Sequence, residues 1–130
     1  MKEIESREDI QLLVELFYEK VKQDSLIGHI FNNAENFNWE THIPIMINFW
    51  ETILLDKATY RGNPMLTHIH LNKRNPLTAE HFERWKQLFF ETLDEQFTGE
   101  KAQEAKNRAN TMALLMQYKI EQSNKQGFIQ

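Results

Sequence analysis

Cysteine is absent from the 130 residues, which excludes both disulfides and thiolate metal sites. Glycine and proline are scarce, at four and three residues, a composition that favours long uninterrupted helices over many tight turns. No apolar run can cross a bilayer: the longest, Ile43 to Trp50, is interrupted by Asn48 and far too short. There is no basic excess either. Fifteen Lys and Arg face nineteen Asp and Glu, for a formal net charge of -4, whereas phosphate recognition needs a positive surface. Nucleic acid and membrane are therefore not expected as partners. The opening Met1-Lys2-Glu3-Ile4-Glu5 lacks the apolar stretch of a secretion signal, so a cytoplasmic location is expected. Repeats and low-complexity segments are also missing. The length suits one compact domain with a real core, and a monomer is expected. What the chain does have is aromatic bulk, with nine Phe and three Trp.

Helical spacing organises almost the whole chain. Ser6 is a candidate N-cap for a helix from about Arg7 to Gln23, with Ile10, Leu13, Phe17 and Val21 on one stripe. Gly28 marks a break, Ile27 to Asn33 reads as a short helical turn, and Asn32 to Asn38 is polar and turn-like. A second helix carries His42, Ile45, Met46, Phe49, Ile53 and Leu54 along one face. Pro44 must lie near its start, since further in it would remove a backbone hydrogen bond and clash with the preceding turn. That predicts a loosely held first turn around His42, from which the imidazole could swing. Arg61-Gly62-Asn63-Pro64 is strong punctuation, with Pro64 placed to open a short helix through His70. Thr78 caps a long helix bearing Phe82, Trp85, Phe89, Leu93 and Phe97, and Gly99 ends it. The last helix, about Glu100 to Gln122, aligns Ala102, Ala105, Ala109, Met112, Met116 and Ile120, small positions that let a neighbour approach closely. No segment alternates like a strand. The expectation is an all-α domain over residues 1–122 with a frayed tail at 123–130.

Five histidines, His29, His42, His68, His70 and His81, are the candidate metal ligands. His68 follows the Pro-initiated segment and is bordered by Leu66, Ile69 and Leu71, an apolar setting for a neutral axial imidazole. His70, two positions on, points roughly the opposite way on a helix. A zinc site using both is splayed and has no third ligand nearby. Tyr18 lies on the apolar side of the first helix, where a buried hydroxyl needs a partner. It reads equally as a core aromatic with its hydroxyl at the rim. His42 is either a second polar group of the same pocket or an exposed helix-start residue. Trp85 either offers an indole N–H or is simply core. Taken singly, each of these residues has a bland reading at least as good as the functional one.

Their joint order is more specific. Phe17-Tyr18-Glu19-Lys20-Val21, Gly28-His29-Ile30-Phe31-Asn32-Asn33, Trp39-Glu40-Thr41-His42, Asn48-Phe49-Trp50, Pro64-Met65-Leu66-Thr67-His68 and Arg84-Trp85 follow one another with a spacing that resembles the truncated haemoglobins, group III. The resemblance spans about Ile10 to Tyr118. Paired glycines at helix junctions, carried by the other two groups, are missing. Pro44 departs from the family pattern.

The resemblance implies a two-over-two helical sandwich around haem b. It makes His68 the proximal iron ligand, Tyr18 the distal tyrosine, His42 the distal histidine and Trp85 the pocket tryptophan. Phe31 would pack on the haem face, Met46 would line the distal cavity, and Phe17 joins the residues expected to touch the cofactor. Arg61, Lys73 and Arg74 flank the proximal segment and could meet the haem carboxylates or simply be solvated. The implied function is binding of diatomic gases (O2, NO, CO). Three distal donors would hold dioxygen at ~1–3 kcal/mol each, which suits a scavenger better than a carrier. A nitric oxide dioxygenase or peroxidase-like enzyme served by an external reductase is the alternative within the family. A haem-free helical interaction domain is the alternative outside it, although it leaves Tyr18, His42 and Trp85 facing a core without need.

Overall fold

The computed structural model describes residues 1–32, 38–60, 62 and 77–125. Its elements run β1 (Lys2–Glu3), α1 (Arg7–Gln23), α2 (Gly28–Asn32), α3 (Trp39–Leu55), α4 (Ala79–Gln96), β2 (Phe97–Thr98) and α5 (Glu100–Lys125). Local chemistry explains where the helices begin. Ser6 caps α1 through a reciprocal capping box with Asp9, and Thr78 does the same for α4 with His81. Asn38 caps α3, its side chain accepting from Glu40 N–H at 2.7 Å. Gly99 sits at φ 94°, a left-handed turn that only glycine adopts without cost, and there the chain reverses between α4 and α5.

Long α1 packs on α3 and α4, α4 packs on α5, and α3 also touches α5. Ile10, Leu13, Val14, Phe17 and Val21 form the inward stripe of α1 and are essentially solvent-free. Each such side chain contributes ~1.5–3 kcal/mol of burial. Ala102, Ala105 and Ala109 are buried on α5, the side from which it packs on α4. The corner after α1 is drawn in by Asp24. Its carboxylate accepts from the Leu26 and Ile27 backbone N–H groups at 3.0 Å each, and from Arg84 of α4 at 2.7 Å. Gly28 then approaches so closely that a Cβ would meet the carbonyls of Val21 and Lys22 at 2.9 Å.

A short pairing accompanies the all-α fold, and two expectations need correction. A two-residue parallel ladder pairs Lys2 with Phe97 and Glu3 with Thr98, too short to show an alternating pattern. The last helix does not stop at Gln122. It continues to Lys125 with Ser123 buried, because the inward face of α5 still has helix to cover there. The first turn of α3 is also better held than Pro44 suggested: Thr41 and His42 N–H both bond the Asn38 carbonyl, at 3.1 and 2.9 Å. Pro44 lies inside the helix, so the rung it cannot make is the one to Glu40.

Candidate functional site

The buried apolar residues form two clusters rather than one. The larger joins α1, α3 and α4 around Phe17, Trp50 and Phe89, and the smaller joins Phe82, Ala113, Met116 and Ile120 between α4 and α5. Between them lies a cavity of about 220 Å³, and residues of both clusters line it. Tyr18, Ile27, Ile30 and Phe31 face it from α1 and the α2 corner, and His42, Ile45, Met46 and Phe49 from α3. The far side is Leu77, His81, Phe82, Trp85, Met112, Ala113 and Met116. Tyr60 and Leu77 both line it.

At one end Tyr18 and His42 meet. The tyrosine hydroxyl lies 3.2 Å from His42 Nε2, and the rings stand edge to face with centroids 5.1 Å apart. Helical spacing explains the meeting. Tyr18 sits at the margin of the α1 stripe, one helical step from Phe17, while His42 is on the first turn of α3 where that helix crosses α1. Tyr18 is 3% exposed, and burial pushes its phenol far above the ordinary value. The hydroxyl therefore keeps its proton at any physiological pH. Which atom donates across the contact follows from the histidine tautomer.

Trp85 reaches the cavity from α4, stacked on Phe89 at 5.7 Å. Phe31 and Met46 line the cavity as the sequence suggested, whereas Phe17 does not. Phe17 lies behind the wall at 1% exposure, its ring against Tyr18, Trp85 and Phe89, because the next position on a helix turns through about 100°. His29 is exposed on α2. His68, His70, Arg61, Lys73 and Arg74 lie outside the described residues.

Two polar lining residues escaped notice as site residues. Tyr60 follows the loop after α3, and partial burial raises its phenol as well. His81 was visible only as one histidine of five. Its place in a Thr-x-x-His capping box, with Nδ1 accepting from Thr78 N–H at 3.1 Å, was the signal that its ring is fixed. Among the described residues no group of three His, Asp or Glu could hold a metal ion, and no helix is long and apolar enough to cross a membrane.

Known proteins with this arrangement point one way. The bacterial-like globin family matches residues 2–119. A Group 3 truncated hemoglobin of Campylobacter jejuni is 40% identical over 92 residues, covering 68% of this chain and 70% of that protein. The crystal structure of a group III truncated hemoglobin from Campylobacter jejuni superposes with a TM-score of 0.82 at 36% identity, over 92% of this chain and 95% of the other. The folded helices, the cavity between the two clusters and these likenesses agree: the chain belongs to the bacterial-like globins and, among them, to the group III truncated haemoglobins.

Proposed function

We propose that the protein binds diatomic gases at a haem b whose iron is held by His68, with Tyr18, His42 and Trp85 facing the gas. Family membership implies a haem cofactor, and the residues of the cavity suit one. Aliphatic, methionine and phenylalanine side chains make most of the wall, as a macrocycle with apolar faces requires, and the few polar tips gather at particular points. The haem would supply an open coordination position for a small ligand. The contribution of the chain lies in what surrounds that position.

The observation that carries the reading is the 3.2 Å contact between two side chains that share the cavity wall, Tyr18 and His42. A buried hydroxyl that stays protonated is a donor ready for a ligand with negative charge on its outer atom, and each such hydrogen bond is worth ~1–3 kcal/mol. Trp85, a residue of the cavity wall, adds an indole N–H donor. Phe31, Ile30 and Met46 keep water away, which strengthens those bonds by lowering the local dielectric. Retention is favoured over release, so scavenging or redox use of the gas fits better than carriage. The iron assignment rests on the family pattern at Pro64–His68.

An absorption spectrum of the purified ferrous protein, with and without carbon monoxide, tests this directly. A Soret band that shifts with carbon monoxide is expected, and His68→Ala should abolish the wild-type axial ligation. A protein that stays colourless in excess haemin refutes haem binding. Unchanged ligation in His68→Ala refutes the ligand assignment.

A further inference from the structure

Where Tyr18 and His42 meet, a third ring lies against both. Trp39, the first residue of α3, packs on Tyr18 at 5.4 Å, on Phe31 at 5.6 Å and edge-to-face on His42 at 6.1 Å. It is absent from the cavity wall, so it touches the gas-facing residues from behind. Its indole is anchored outside the cluster. Nε1–H donates to Asn32 Oδ1 at 3.1 Å, and Asn32 Nδ2 donates in turn to the Lys22 carbonyl at 3.2 Å. The two bonds leave one orientation of the amide, oxygen to the indole and nitrogen to the end of α1. The Lys22 ammonium lies over the Trp39 ring at 5.2 Å.

These bonds lie in exposed positions, where water could satisfy the same donors. They add little to folding. What they do set is the rotation of the Trp39 ring, and with it the surface presented to His42.

We propose that Trp39, clasped by Asn32, is a positioning residue that holds the His42 imidazole against the Tyr18 hydroxyl and thereby sets how easily a gas enters the cavity. The proposal rests on His42 facing the gas. It assigns control to a pair of residues that touch neither the cavity nor the ligand. Asn32 acts on His42 through Trp39, and on the gas through His42.

The test uses the full-length ferrous haem-loaded protein with carbon monoxide as probe, in Asn32→Ala and Trp39→Phe, each alone and combined with His42→Ala. Association after flash photolysis gives the rate, and the infrared C–O stretch reports the polarity around the ligand. Each single variant should speed association roughly 3- to 10-fold and move the C–O band toward that of His42→Ala. In the His42→Ala background neither should add more than about twofold. Trp39→Phe keeps an aromatic ring in the cluster, so a shared effect with Asn32→Ala identifies the clasp rather than lost packing. Wild-type rates and bands in both variants would overturn the proposal, as would equal acceleration without His42. A wild-type protein that takes up no haem would instead sink the gas-binding reading.

Discussion

Phe17 and Tyr18 are neighbours on α1, and the two aromatic regions they enter behave differently. Phe17 enters a filled cluster. Its ring meets Phe89 at 5.1 Å, Phe89 stacks on Trp50 at 4.9 Å and on Trp85 at 5.7 Å, and Phe17, Trp50 and Phe89 are 1%, 1% and 0% exposed. Tyr18 enters a group of Phe31, Trp39 and His42 that has similar ring spacings yet borders a void. In the first region two of the four rings, Trp50 and Trp85, have a polar tip, and of these only Trp85 reaches the cavity. In the second, three of four rings have one. Aromatic area stabilises in both, but the second keeps more hydrogen-bonding capacity beside unfilled space, and unfilled space is costly unless something occupies it. One cluster fills the core, and the other borders the cavity proposed to take the gas.

Substitutions can break that contrast. Phe89→Ala should cost the most, ~3–5 kcal/mol of unfolding free energy in denaturant titration, because the ring is enclosed on every side. A loss under about 1 kcal/mol would mean the first cluster is not the packed one. Tyr18→Phe should do the reverse, leaving unfolding free energy within about 1 kcal/mol while speeding dioxygen release about tenfold or more in stopped-flow measurements. Equal release rates would remove the functional half of the comparison.

The smallest effect is expected at the corner after α1. Asp24 is drawn up by burial but more strongly down by the Arg84 hydrogen bond and the Ile27 and Leu26 N–H groups, so its carboxyl titrates below the ordinary range. A group depressed in the folded state contributes stability that is present above its unfolded pKa and lost as pH falls through the folded value. Wild-type stability should therefore drop on acidification below about pH 4, and Asp24→Asn should be less stable at pH 7 by ~1 kcal/mol with a flatter acid limb. Parallel acid limbs in the two proteins would show that the Asp24–Arg84 link does not contribute.

Much of this was legible in the residues. Ser6 and Thr78 announced helix starts because capping is a local bond between near neighbours, and Gly99 announced a reversal because its backbone angle excludes side chains. The stripes of α1, α4 and α5 follow from a period that requires no knowledge of the partner helix. Phe31 and Met46 line the cavity, and Phe17 lies one helical step away, behind its wall. The short β1–β2 ladder was invisible, since two residues have no period, and so was the reach of α5 to Lys125, where polar letters hid a buried Ser123.

The chain order alone therefore dictated helix type, most boundaries and which faces are apolar, because those depend on contacts within a few residues. Tertiary structure decided the rest. Two apolar clusters stop short of each other and leave a cavity, the α1–α3 crossing brings Tyr18 to His42 across 24 positions of sequence, and Asn32 clasps Trp39 from outside. None of these has a local signature, because each depends on the distance between surfaces that only the packed helices bring together.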